Sequence, residues 1–192
     1  GSVVTWGKGD RGGNSNQVQL EEIETVYATS SAFAAHKADG SVIIWGGTNS
    51  EPAILEDVKE VFANPFAFAF LKTDHSIETW GDANNGGNSK DVALNNTAKV
   101  FATSSAFAAL KLDGSVVTWG NSNFGGDSNE LILSDISTIY SNAFAFAALK
   151  TDGTVVTWGD SIRGGDSSTV DLTNIVTIYS TIDAFAALNT DG

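Results

Sequence analysis

Two histidines, 23 acidic side chains and a series of Asp, Asn, Ser and Gly loops are the residues of this chain whose types could do chemistry. A histidine works as a general acid or base only with a carboxylate or nucleophile in hydrogen-bond reach. His36 replaces a leucine of equivalent stretches and His75 replaces a turn glycine, and neither has such a partner at a suggestive spacing. Paired carboxylates, the equipment of glycoside hydrolysis, occur at Glu21-Glu22 and Glu56-Asp57, but in connecting segments that read as solvated surface. The loops "KGDRGGNSN", "DANNGGNSK", "NSNFGGDSN" and "DSIRGGDSS" offer the oxygens of which calcium takes roughly six to eight. Their acidic residues, Asp10, Asp82, Asp127, Asp160 and Asp166, shift from loop to loop and match no calcium-loop spacing, so they read as turn formers. There is no cysteine, which excludes thiolate metal sites and cysteine nucleophiles, and no Gly-Lys-Ser/Thr phosphate loop. No catalytic residue, metal or cofactor is therefore expected, and the chain is not read as an enzyme.

The elements that carry these residues repeat. "GSVVTWG" at Gly1 recurs as "GSVIIWG" at Gly40, "HSIETWG" at His75, "GSVVTWG" at Gly114 and "GTVVTWG" at Gly153. The tryptophans Trp6, Trp45, Trp80, Trp119 and Trp158 thus stand 39, 35, 39 and 39 residues apart. Five repeats follow, 1–39, 40–74, 75–113, 114–152 and 153–192, within a single domain, 1–192. Each holds three strand signals, as in "STIYS", "AFAALK" and "TVVTW", and a fourth segment such as "ELIL" or "STVDL" is read as an outer strand or a packed loop. Asp-Gly pairs at Asp39-Gly40, Asp113-Gly114 and Asp152-Gly153 mark tight hairpins, and at Asp74-His75 the turn is expected to be strained. No segment has helical periodicity, so the class is all-β.

On the middle strand Ala106, Ala108 and Leu110 point one way and Phe107 and Ala109 the other, so both faces are apolar and each sheet must stack on its neighbours. Periods near 40 residues with one tryptophan each favour a β-propeller of five short blades. The chain opens on a third strand and finishes on a first and second, which suggests a ring closed by pairing residues 3–6 with residues 184–188. The alternative is an arc of a larger, seven-bladed propeller.

"AALKTDGTVVTWGDS", followed by Gly164-Gly165, resembles the repeat of the regulator of chromosome condensation family, and the repeat length is similar to that of the propeller-type β-lactamase inhibitor proteins. The resemblance implies a propeller over the whole chain. The exchange-factor members carry a Gly and a His near the first turn and a Gly-Gln-Leu-Gly loop. Here those places read "YSNAFAFAAL" and "GGDS", so nucleotide exchange and nucleosome binding are not carried over.

The net charge of −13 would repel phosphate backbones, so nucleic acid is not expected as a partner. No apolar run approaches the roughly 20 residues of a membrane helix, so membrane insertion is not expected either. Without a methionine or a signal-like start, the chain reads as a processed piece of a larger multidomain protein, and the acidic, cysteine-free composition points to an extracellular or cell-surface setting. The five tryptophans, identically placed and each followed by glycine, are assigned to the blade core. The loops after Trp-Gly and the turns between first and second strands vary, and both fall on one end of the ring. That face is expected to bind a macromolecule, protein or glycan, with Arg11, Phe66, Phe124, Phe144 and Arg163 as anchors. A lectin-like site in each blade and a structural spacer in a repeat array are the alternatives.

Overall fold

The computed structural model describes residues 1–47 and 52–190, and fifteen strands and no α-helix lie among them. They form five antiparallel sheets in chain order. The first contains β1 (Ile23–Ala28), β2 (Ala32–Lys37), β3 (Val42–Gly46) and β4 (Ala53–Leu55), and the second β5 (Val58–Ala63), β6 (Ala67–Lys72) and β7 (Ile77–Gly81). The third contains β8 (Thr97–Ala102), β9 (Ala106–Lys111) and β10 (Val116–Gly120), and the fourth β11 (Ile136–Ser141), β12 (Ala145–Lys150) and β13 (Val155–Gly159). The last holds β14 (Ile175–Ser180) and β15 (Phe185–Asn189) alone. Among the described residues a fourth strand occurs in the first sheet alone, next to the shortened "GTNSEP" connection, whose residues 48–51 lie outside them. "ELIL" and "STVDL" belong to no strand and run as turns and loops.

The alternation of small and large residues decides how the sheets stack. Ala32 and Ala34 of one sheet pack under Phe68 and Phe70 of the next. Ala67 and Ala69 meet Phe107 and Trp119, and Ala106 and Ala108 meet Phe146 and Trp158. A small face against a large one lets neighbouring sheets interdigitate without voids. Each middle strand therefore buries both faces. His36 holds the position of the leucines, and its Nε2 lies 3.0 Å from the Val58 carbonyl of the following sheet.

The hairpins between second and third strands are built as the Asp-Gly pairs suggest. Gly40, Gly114 and Gly153 have φ of 83°, 80° and 83°, and His75 is forced to 66°. In the first of them the Ser41 hydroxyl and amide donate to Asp39 Oδ1 at 2.7 and 2.8 Å. The same arrangement recurs at Asp74, Asp113 and Asp152, and these hydroxyl donors hold all four carboxyls below the ordinary value. Each hairpin also joins the next sheet, since the amides of Val58, Thr97, Ile136 and Ile175 donate to the carbonyls of Gly40, His75, Gly114 and Gly153.

The ring is not closed. Residues 3–6 form no strand with 184–188, and among the described residues no hydrogen bond joins the two ends. The N-terminal segment lies instead against the first sheet, with Ile23 N donating to Gly1 O and Val3 N to Leu20 O. Four steps of sheet-on-sheet packing join the five sheets without bringing these ends into a common sheet, so the sheets form an open arc. Trp6 is accordingly not a core residue but 85% exposed, because no first and second strands cover it.

Candidate functional site

Each full-length Trp-Gly loop makes a single 3-10 turn, at Gly9–Arg11, Ala83–Asn85, Ser122–Phe124 and Ser161–Arg163. In the last three a side-chain oxygen of Asp82, Asn121 or Asp160 caps the turn by accepting from a backbone amide within it. A glycine in the left-handed region ends each one, since a Cβ there would strike the ring below. At Gly125, for example, it would stand 2.7 Å from Phe146 Cδ2. That glycine's carbonyl is the acceptor for the tryptophan of the next sheet. Trp45, Trp119 and Trp158 Nε1 donate to Gly12, Gly86 and Gly125 O at 2.9, 3.0 and 3.1 Å. All three indoles are buried and stack on Phe33, Phe107 and Phe146 with centroids 5.2–5.4 Å apart. Trp80 departs from this pattern. Its preceding loop is the shortened one, it is half-buried, and it lies tilted at 6.1 Å from Phe68. A hydroxyl clasp fastens the far side of each full loop, joining Thr5 to Ser15, Thr79 to Ser89, Thr118 to Ser128 and Thr157 to Ser167. The repeat with the shortened loop has Ile44 at the threonine position.

These loops dock onto the turns between first and second strands, so both sets lie on one face. Asn64 Nδ2 donates to Asn85 O at 2.8 Å, Thr103 Oγ1 to Phe124 O at 3.0 Å and Asn142 Nδ2 to Arg163 O at 2.7 Å. Asn64 and Asn142 also accept from two amides of their own turns. The leading Asn or Thr of turns that look freely variable is thus a buried hub. Its signal in the sequence is the restriction of that position to residues that can accept from the backbone.

Of the five anchors expected on this face, three come together. The Phe124 and Phe144 rings stack at 5.5 Å, and the Arg163 guanidinium lies 4.3 Å over Phe144. Asp160 holds Arg163 at 2.7 Å, and Asp183, from the turn before β15, holds it at 3.3 Å. Sequence reasoning missed two neighbours of this ladder. Ile162 is 91% exposed and Ile182 is 69% exposed, and the Ile182 carbonyl accepts from Ala143 N beside Phe144. Their signal is a lone aliphatic in a polar loop, "DSIRGG" and "STIDA". Arg11 and Phe66 stand elsewhere on the face. They line a cleft of about 930 Å³ with Asn14, Ser30, Trp45 and Pro52, and Arg11 Nη1 donates to Ser30 O at 3.3 Å.

His75 and the five loop aspartates are engaged with nearby backbone or side-chain groups. The His75 ring bonds the Thr97 carbonyl at 2.9 Å. Asp82, Asp127, Asp160 and Asp166 accept from amides two residues on, and Asp10 pairs with Lys8 at 3.3 Å. The Ser168 amide and hydroxyl hold Asp166 below its ordinary value. No group of three or more metal-ligating side chains converges, and no helix is long and apolar enough to cross a membrane, among the described residues.

No family model matches the chain, and no curated protein matches it. Solved structures do. Prp20p from Saccharomyces cerevisiae, the yeast RCC1, aligns over 88% of this chain and 56% of its own at a TM-score of 0.57 and 18% identity. The WD40 ectodomain of the Arabidopsis thaliana receptor kinase ACR4 aligns over 76% and 55%, at 0.53 and 18%. Human WBSCR16 aligns over 92% and 59%, at 0.53 and 16%. The chain thus spans somewhat over half the length of each of these proteins. The likeness to the β-lactamase inhibitors rests on repeat length alone, whereas the stacked sheets and these alignments give the chain an RCC1-like β-propeller fold.

Proposed function

We propose that the chain is a non-enzymatic binding module that recognises a protein through the loop face of its arc, with Phe124, Phe144 and Arg163 at the centre of the contact and Ile162 and Ile182 at its edge. The observation that carries this reading is the ladder itself. Two stacked aromatics, a guanidinium held in place by two carboxylates and two exposed isoleucines are pre-ordered on a rigid frame, the composition and preorganisation of a protein-binding hot spot. Arg11 and Phe66, on the cleft of the same face, form a second contact. Neighbours of like fold support a protein partner: Prp20p is described with binding to Gsp1p and histones, and yeast RCC1 was solved bound to Kap60. Two neighbours of like fold, both plant receptor-kinase ectodomains, support an extracellular or cell-surface setting. A photo-crosslinking amino acid at Ile162, compared with one at Asp113 in the hairpin at the other end of the strands, tests the face. The expected result is a partner captured from Ile162 only, whose purified form binds the Phe144→Ala chain about tenfold or more weakly. Equal capture from both positions, or unchanged affinity in that variant, refutes the reading.

A further inference from the structure

The guanidinium of the aromatic ladder is already engaged within the chain. Asp160 Oδ2 accepts from Arg163 Nη1 at 2.7 Å, and Asp183 Oδ1 stands 3.3 Å from its Nε. Its carbon lies 4.3 Å over the Phe144 ring. Arg163 is thus a shelf for that ring, and its charge is compensated before any partner arrives. With two carboxylates to one guanidinium, the fixed charge of the ladder is negative.

The two loops that carry the ladder add to that sign. Residues 121–133 hold Asp127 and Glu130, and residues 160–172 hold Asp160, Asp166 and Asp171, with Arg163 as the one cation of both stretches. Asp127, Glu130 and Asp166 are exposed. Ile162 is exposed as well, as Asn84 and Asn123 are at the same place in their loops. A backbone acceptor stands open beside them. Turns of successive sheets are joined across this face by amide-to-carbonyl bonds, from Ser30 to Pro65, from Ser104 to Ala143 and from Ala143 to Ile182. The link that would end on the Ser104 carbonyl has to start from residue 65, which is proline and has no N–H. Among the described residues no hydrogen bond reaches that carbonyl, while the Ser104 amide is bonded to Ala143, next to Phe144.

We propose that the partner at this ladder is a cationic segment of a protein, in which Lys or Arg side chains flank one apolar residue. This rests on the reading of the ladder as a protein contact. The apolar residue seats on Phe124, Phe144 and Ile162, and the flanking cations meet the acidic loops and donate to the Ser104 carbonyl. Opposite charge across the face speeds encounter more than it slows release, whereas the ordered rings set how long the segment stays. An acidic segment would find the guanidinium compensated and like charge on both loops, so the same charges that attract the one reject the other.

A random peptide library displayed on phage and selected on the immobilised full chain, with the Phe144→Ala chain as counter-selection, supplies the probes. The expected peptides carry net positive charge with an apolar residue between Lys or Arg. Synthetic copies should associate about threefold or more slowly in about 500 mM salt than in about 50 mM. Asp127→Asn with Glu130→Gln should slow association about threefold or more. Glu24→Gln with Glu56→Gln, the same loss of charge in and beside the first sheet, should slow it less, and both double variants should keep the far-UV spectrum. Arg163→Gln leaves Asp160 and Asp183 uncompensated, so association should become faster, and release faster too because the shelf over Phe144 is gone. Peptides that depend on Phe144 but carry net negative charge, association slowed by Arg163→Gln, or equal slowing in the two double variants overturns this inference and leaves the contact itself standing. A selection in which no peptide distinguishes the wild-type chain from Phe144→Ala overturns the contact and this inference with it.

Discussion

Replacing Trp119 by phenylalanine separates what the tryptophan contributes as a ring from what it contributes as a donor. Trp119 is 3% exposed, donates to the buried Gly86 carbonyl at 3.0 Å and stacks on Phe107 at 5.3 Å. Phenylalanine leaves that carbonyl without a partner, at a cost of about 1–3 kcal/mol. The smaller ring leaves space worth about 1 kcal/mol more. Trp80 occupies the same position in the second sheet, but it is half-buried, tilted and 6.1 Å from Phe68, and no carbonyl of the described residues accepts from it. Trp80→Phe should therefore lose only the packing part, about 1 kcal/mol. In urea, followed by far-UV circular dichroism, a slope of about 2 kcal/mol per molar puts the Trp119→Phe midpoint some 1–2 M below wild type and the Trp80→Phe midpoint about 0.5 M below. Equal losses in the two variants would refute the idea that the indole hydrogen bond, and not the ring alone, ties each sheet to the loop before it.

Other expectations follow from single contacts. His75→Gly relieves a φ of 66° but loses the ring's bond to the Thr97 carbonyl, so it should be near neutral. His75→Ala keeps the strain and loses the bond, and should be about 1 kcal/mol worse than His75→Gly in the same urea assay. Gly125→Ala puts a methyl 2.7 Å from Phe146 Cδ2 at a φ of 90°, and should lower stability by about 2–4 kcal/mol, measured by calorimetry. Asp39, Asp74, Asp113 and Asp152 are held below their ordinary value of 3.8, chiefly by the hydroxyls of Ser41, Ser76, Ser115 and Thr154. A carboxyl lowered on folding contributes stability that is present above pH 3.8 and lost as pH falls through its folded value. Replacing the four hydroxyl residues by alanine should flatten the decline of the urea midpoint below pH 3.8, with little change in that slope above it.

The repeats, the hairpins and the two-sided burial of the middle strands are local matters, and they are legible in residues such as Asp152-Gly153 and in the Ala and Phe alternation of "AFAALK". A closed ring is not a local property. It needs the rotation between successive sheets, which depends on how deep Ala106 and Ala108 let Phe146 sink, and no pattern of residue types encodes that depth. Trp6 shows the same limit, since its type and spacing equal those of Trp158 and only the absence of covering strands makes it exposed. β4 arises where a connection is shorter by four residues, a change visible in the sequence whose result was not. Among the site residues, Phe144 and Arg163 were found as an aromatic and a guanidinium in variable positions. Their stacking depends on a docking hydrogen bond, from Asn142 to the Arg163 carbonyl, that joins residues 21 apart.

The loops between cap and left-handed glycine are built as replaceable units. In three of them, three residues, Ala83–Asn85, Ser122–Phe124 and Ser161–Arg163, sit between fixed posts: a capping side chain before, a ring-covering glycine after, and a threonine-to-serine clasp behind. Those nine positions behave as interchangeable cassettes, because their side chains can be rewritten while the posts keep their backbone path. A lineage, or a combinatorial library randomised at the same places, can thus acquire new binding specificities without renegotiating the framework beneath them.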